Sequence, residues 1–258
     1  MTLEEAQRNG KKILVSLSGG KDSTALALLL VERGVEVAEF LFCDTGLEYP
    51  EVYAALDRFE EVTGRKITRL RREDGKDYLY FAAHKPVKVK FPTRRDGTPR
   101  RTVGYGWSNA MRRFCTRSLK LEVLAKYKRE HYTPGEYVEA IGIAADEPER
   151  IHADNPQKVY PLAEWGITEA DALAICRARG FFPSPCAYDD CKRVSCFACP
   201  LSSLDAIRYL IGKRPELWNR IKQMEVEIGE PWKERGTEYF ERRFAEDGLQ
   251  PHKGGRKK

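Results

Sequence analysis

Apolar positions along the chain fall into short continuous runs and helical stripes, and glycines mark the changes between them. Ile13-Leu14-Val15 is an apolar run that stops at Ser18-Gly19-Gly20-Lys21-Asp22-Ser23, after which Ala25 to Glu32 has helical character up to Gly34. Val35 to Phe42 then reads as a buried strand ending at Cys43-Asp44-Thr45-Gly46. Strand, glycine turn, helix, strand is a βαβ unit, so the pattern predicts a parallel sheet with Asp44 at its ligand-binding carboxyl edge. Pro50 opens a helix with Val52, Leu56 and Phe59 on its apolar face, Gly64 closes it, and a third strand follows around Ile67 to Leu70.

Later segments repeat the alternation. Trp107 to Tyr127 reads as one helix, Tyr137 to Ala144 as a strand and Glu169 to Arg179 as another helix. Beyond residue 200, Leu204, Ile207 and Ile211 mark an amphipathic helix, and Leu217, Ile221, Met224 and Ile228 mark a second that begins at Pro215. Phe240 and Phe244 suggest a third. The expected fold is α/β, a doubly wound parallel sheet of five or six strands with a helical C-terminal part. Residues 1–180 are expected to form the α/β domain, 181–250 a Cys-rich helical region and 251–258 a basic tail.

Periodicity vanishes from His84 to Thr102. Lys85, Lys88, Lys90, Arg94, Arg95, Arg100 and Arg101 are interrupted there by Pro86, Pro92, Gly97 and Pro99, with Asp96 the one acid. Such a stretch cannot be a regular helix, and its charge makes it an anion-seeking insertion, about 84–106, either a clamp over phosphates or a nucleic-acid backbone or a solvated surface segment. Tyr105 and Trp107 offer rings on which bases could stack.

Composition narrows the class. A chain of 258 residues, 41% hydrophobic and 33% charged, can bury a core without disulfides and has no apolar run long enough to span a bilayer. Forty-five Lys and Arg against 39 Asp and Glu leave a formal charge of +6, which fits an anionic ligand. Met1 to Glu5 offers a helix capping box rather than an export signal, so a cytoplasmic protein is expected.

The candidate chemistry begins at the glycine turn. A strand that breaks at paired glycines and resumes as a helix presents backbone N–H groups and the positive end of a dipole, a ready site for phosphate oxygens. Lys21 adds a positive charge, and Ser18, Ser23 and Thr24 add hydroxyls. At the next strand end, Asp44 could hold Mg²⁺ or a ribose hydroxyl, or be an ordinary turn residue. Cys43 and Cys176 lie on apolar faces and are assigned to the core. Cys186, Cys191, Cys196 and Cys199 crowd into 14 residues, and a thiolate set suits Zn²⁺ or an iron–sulfur cluster.

Ser-Gly-Gly-Lys-Asp-Ser resembles the pyrophosphate-binding loop of the PP-loop ATP pyrophosphatases and sulfonucleotide reductases, which implies ATP or an adenylyl-sulfate nucleotide and an adenine-nucleotide α-hydrolase-like fold. Asp44-Thr45-Gly46-Leu47-Glu48-Tyr49-Pro50 is similar to the segment after the second strand in phosphoadenosine-phosphosulfate (PAPS) reductases. Ile141-Gly142-Ile143-Ala144, followed by acids and Arg150, is similar to another. The resemblance implies nucleotide contacts at Gly142 and Arg150; the family's earlier Arg is Ala144 here. Leu162 and Trp165 match positions assigned to the core.

In the iron–sulfur members, ligands come from a mid-chain helix and from a late Cys-x-x-Cys 11 residues after a Pro, and Pro185 to Cys196 repeats that interval. Cys115 matches the first helix ligand, whereas its usual Cys neighbour is Thr116. The resemblance therefore implies a [4Fe-4S] cluster on Cys115, Cys191, Cys196 and Cys199, with Cys186 as substitute; Zn²⁺ on Cys186, Cys191, Cys196 and Cys199 stays open.

Members that reduce sulfonucleotides carry a nucleophilic Cys in a late Glu-Cys-Gly segment, and here no cysteine follows Cys199. The expectation is thus ATP-dependent adenylylation of an acceptor, such as nucleic acid, for sulfur transfer, using Lys21 and Mg²⁺ with a sulfur or electron donor protein. Sulfonucleotide reduction and a non-catalytic nucleotide or redox sensor are the alternatives.

Overall fold

The computed structural model describes residues 1–91, 93, 97–152 and 154–246. The predicted basic residues Arg94 and Arg95, Asp96 and the tail from 251 lie outside them. Two compact units emerge, each built from separated stretches of chain.

The first unit comprises residues 1–44, 48–71 and 120–186. Its centre is a five-stranded, all-parallel sheet in the order β3-β2-β1-β4-β5, with β1 Lys12–Ser16, β2 Val37–Cys43, β3 Ile67–Leu70, β4 Tyr137–Ile141 and β5 Lys158–Val159. Ile13, Leu14 and Val15 are buried because β1 has a strand on each side and is covered above and below. Strand order reverses between β1 and β4, which puts a ligand-binding crevice at their carboxyl ends.

Local chemistry explains the helices. Thr2 and Glu5 form the predicted capping box on α1 (Leu3–Arg8). The helix α2 (Lys21–Glu32) packs against α3 (Pro50–Thr63), which has Pro at its first position and Gly64 in the left-handed conformation after its end. Phe59 of α3 meets Phe40 of β2 edge to face, centroids 4.9 Å apart. Glu122–His131 is α4, Pro161–Glu164 is α5 and Glu169–Ala178 is α6, the last capped by Thr168 with Asp171.

The second unit comprises the described residues within 45–47, 72–119 and 187–258. Its helices include α7 (Ala187–Asp190), α8 (Leu204–Lys213), α9 (Pro215–Ile228) and α10 (Thr237–Glu246), of which the last three match the predicted amphipathic stripes. Trp232, fully buried, packs its ring against Trp218 and Phe240 at 5.6 and 5.8 Å.

Three expectations change. The single helix from Trp107 to Tyr127 is instead an irregular stretch, a π-helix at Cys115–Leu121 and then α4. The Asn109 side chain explains the break, accepting from the backbone N–H groups of Met111 and Arg112 at 3.0 and 2.8 Å and so competing with helical bonds. The strand from Tyr137 stops at Ile141, where Ile143 N–H turns back to the Ile141 carbonyl. Trp165 is half-buried beneath the Arg33 guanidinium, 3.8 Å from the ring centroid, rather than in the core, whereas Leu162 is fully buried.

Candidate active site

The turn between β1 and α2 is shaped by two glycines with different tasks. Gly19 has φ of +72°, and a Cβ there would lie 2.6 Å from Val52 Cγ1 of α3, so both backbone and packing exclude a side chain. Gly20 is the N-cap of α2 and supplies no side-chain cap, which leaves the first-turn N–H groups to other acceptors. Ser18 and Ser23 close the turn: the Ser18 N–H donates to Ser23 Oγ at 3.1 Å, the two hydroxyls lie 2.9 Å apart, and Ser23 Oγ–H donates to the Gly20 carbonyl at 3.1 Å. Thr24 is buried one step further along.

Gly142, just past β4, completes this crevice. A Cβ there would lie 2.8 Å from both the nitrogen and the Cα of Ser23, so the bare backbone of one strand end presses against the loop at the other. These two elements flank the point where the strand order reverses.

Charge around the loop is dominated by carboxylates. Lys21 is buried, with Nζ donating to Asp22 Oδ1 at 2.7 Å and Glu169 Oε1 at 3.2 Å. Burial pushes the Asp22 carboxyl above its ordinary value, and the charges of Glu169 and Glu147 push the same way against Lys21. Arg150 is exposed and ion-paired with the buried Glu147.

Asp44 continues β2 through its N–H, donated to the Leu70 carbonyl at 2.9 Å. Its side chain is committed within the protein: Oδ2 accepts from Arg71 Nε and Nη2 at 2.9 and 2.5 Å, and Oδ1 accepts from the Tyr53 hydroxyl at 2.7 Å. Tyr53 also reaches Glu48 Oε2 at 3.4 Å, and Lys120 Nζ lies 3.5 Å from the other Glu48 oxygen. Burial, followed by the bond to Asp44, drives the Tyr53 hydroxyl far above its usual range, so it is a donor at every working pH.

Of the cysteines, Cys43 donates to the Lys120 carbonyl at 3.6 Å and Cys176 to the Lys21 carbonyl at 3.3 Å, with burial raising their thiols to about 11 and about 12. Cys176 is fully buried as expected; Cys43 is only half-buried. Cys186 falls in the first unit and donates to the Phe182 carbonyl at 3.4 Å.

Cys115, Cys191, Cys196 and Cys199 all belong to the second unit. Cys115 starts the π-helix, a geometry common where a helix carries function. Cys199 N–H donates to the Cys196 carbonyl at 3.2 Å, the Phe197 N–H donates to the Leu47 carbonyl at 2.8 Å, and the Trp232 indole donates to the Ala198 carbonyl at 3.1 Å. Burial raises the Cys199 thiol, and the Cys115 charge adds to the rise; Tyr78 feels both sulfurs. Cys115 and Cys199 are therefore within electrostatic reach of one another. Thiol donors on one unit match the chemistry of a thiophilic metal, yet no three His, Cys, Asp or Glu converge on a metal position among the described residues.

Sequence reasoning missed Glu169, which reaches Lys21 across 148 positions, and Glu147, Tyr53, Arg71 and Trp232. The acids following Gly142 were the one available signal.

No helix among the described residues is long and apolar enough to cross a membrane. The chain is 27% identical over 243 residues to an uncharacterised protein of Methanocaldococcus jannaschii, covering 88% of this chain and 45% of that one. It is 30% identical over 145 residues to an uncharacterised nin region protein of phage lambda, covering 54% and 50%. It thus spans about half the length of these curated relatives. Among solved structures it is similar to the PAPS reductase of Candida auris (12% identity, 70% and 81% covered, TM-score 0.43). It is also similar to the [4Fe-4S] U34-tRNA thiolase NcsA of Methanococcus maripaludis (20%, 93% and 73%, TM-score 0.40). The phosphoadenosine phosphosulfate reductase domain model matches residues 12–202, from β1 through the glycine turn and Gly142 to the Cys-x-x-Cys, and the chain belongs to that family.

Proposed function

We propose that this protein is a PP-loop enzyme that binds ATP and adenylylates an acceptor for sulfur transfer. A nucleophile on the acceptor attacks the α-phosphorus, the bond to the bridging oxygen breaks, and pyrophosphate leaves. The single observation that supports this most is the loop itself: Gly19 pinned in a left-handed turn, Gly20 heading α2 without a side-chain cap, and Gly142 closing the crevice against Ser23. Backbone N–H groups of Gly19 and Gly20 and the hydroxyls of Ser18, Ser23 and Thr24 would hold phosphate oxygens, with Arg150 and Mg²⁺ balancing charge. Asp44, fixed by Arg71 and Tyr53, would meet the ribose through an oxygen lone pair rather than as a free metal ligand.

The acceptor we favour is nucleic acid. Residues 84–119 hold ten Lys and Arg and a single acid, Asp96, so the remainder of the chain is net negative. Exposed Lys90 sits over the ring of exposed Phe91, and Lys85 lies about equally close to the rings of Phe81 and Tyr105, an arrangement suited to phosphates beside stacked bases. Cys115, Cys191, Cys196 and Cys199, with Cys186 as substitute, are the proposed ligands of a [4Fe-4S] cluster, which would supply redox chemistry beside the nucleotide reaction. Zn²⁺ is the alternative. The proximity of Cys115 to Cys199 supports the ligand set.

Family membership supports a second reading, reduction of an adenylyl sulfate to sulfite. Labelled ATP and adenylyl sulfate, each supplied with and without RNA or DNA, separate the outcomes. Pyrophosphate release that rises with nucleic acid is expected. Sulfite formation instead would favour reduction, and tight binding without turnover would favour a sensor. Iron and acid-labile sulfide, measured beside zinc after anaerobic purification, test the metal independently.

A further inference from the structure

Lys21 does not wait in the loop with its charge unspent. Its ammonium is buried between Asp22, its chain neighbour, and Glu169, which begins α6. Glu169 is held there firmly: its N–H donates to Asp146 Oδ1 at 2.9 Å, Thr168 caps the helix in front of it, and its side chain is only 14% exposed. The contact with Asp22 is the shorter, 2.7 Å against 3.2 Å, and is set by adjacency in the chain. Glu169 is therefore the partner that an incoming anion can replace.

We infer that Glu169 competes with the nucleotide's phosphates for the Lys21 ammonium, and so sets how tightly the loop takes its ligand. The inference rests on the nucleotide reading of the loop. A phosphate can take Lys21 fully only by displacing Glu169, because the ammonium already donates to that carboxylate as well as to Asp22. The charges nearby make the exchange consequential: Glu147 and Glu169 both act on Asp22 electrostatically, and Arg150 is already paired with Glu147. When a phosphate takes the lysine, Glu169 is left without its counter-charge beside Asp22 and Glu147. That cost lowers affinity, and it releases the ligand once pyrophosphate has formed.

The test measures ATP binding with Mg²⁺ by equilibrium dialysis for the full chain, Glu169→Gln, Lys21→Met and the double variant, with a native thermal transition required of each. Glu169→Gln should bind ATP at least about fivefold more tightly than the wild type. In the Lys21→Met background the same change should alter binding less than about twofold, because the competition has no object. An equal gain in both backgrounds would show that Glu169 merely repels phosphate, and an unchanged or weakened Glu169→Gln would likewise overturn the inference. A wild-type chain that binds no ATP would overturn the nucleotide reading itself, a result distinct from either.

Discussion

The indole N–H of Trp232 donates to the carbonyl of Ala198 at 3.1 Å, inside the turn that joins Cys196 to Cys199. Both residues are buried, so the bond ties the cysteine turn to the aromatic cluster of Trp218, Trp232 and Phe240. Lys233 next to it donates to the Ser202 carbonyl at 2.6 Å from a backbone with φ of +51°, a left-handed conformation that a side chain adopts at a cost. Trp232→Phe keeps an aromatic ring but strands a buried acceptor and leaves a small void. It should lower unfolding stability by about 1–3 kcal/mol, read as a reduced urea midpoint at unchanged slope. An unchanged midpoint would mean that the bond contributes nothing.

Gly142 tests the crevice from the side opposite the loop. Its φ is ordinary, so alanine is excluded only by space, 2.8 Å from Ser23 backbone atoms that cannot rotate away. Gly142→Ala should push the end of β4 and the loop apart and weaken ATP binding about tenfold or more, while far-ultraviolet circular dichroism still reports a folded chain. Gly19→Ala carries backbone strain besides its clash with Val52 and should lose stability as well as binding. Equal ATP affinity in Gly142→Ala and the wild type would separate Gly142 from the nucleotide site.

How much of this could be seen in the sequence depended on distance along the chain. The β1 turn and α2 were legible because glycines, hydroxyls and apolar run sit within 20 residues and dictate one another's conformation. The commitment of Asp44 was not, since Tyr53 and Arg71 reach it from different elements and nothing local announces the pairing. Glu169 was hidden for the same reason, as an ordinary first-turn acid that the fold brings to Lys21. The failed helix from Trp107 shows the converse: helical periodicity was present, but Asn109 offered the backbone a competing partner.

Asp22 gives the loop a pH signature. Its folded carboxyl is raised above the ordinary 3.8, burial outweighing the pull of Lys21. A raised carboxyl contributes stability below the unfolded value and loses it as pH climbs through the folded value, so at neutral pH the ionised Asp22 opposes folding. Asp22→Asn removes that opposition. The variant should melt higher than the wild type at pH 7, with the difference shrinking as pH falls towards 3.8. A variant less stable than the wild type at pH 7 would show that the Lys21 ion pair outweighs burial.

The thiols of Cys43 and Cys176 predict a pattern of chemical labelling that separates them from the candidate ligands. With thiols raised to about 11 and about 12, Cys43 and Cys176 hold on the order of one thiolate in a thousand or fewer at pH 8. Burial of Cys176 and the bond from Cys43 to the Lys120 carbonyl slow them further. Cys115 and Cys196 are half-buried like Cys43, and neither is enclosed as Cys176 is. In metal-free native protein, iodoacetamide followed by peptide mass spectrometry should therefore modify Cys115 and Cys196 at least about tenfold faster than Cys43 and Cys176. Reconstitution with iron and sulfide should then protect Cys115 and Cys196 while leaving the slow pair as slow as before. Labelling of Cys115 at the same rate with and without the metal would remove it from the ligand set.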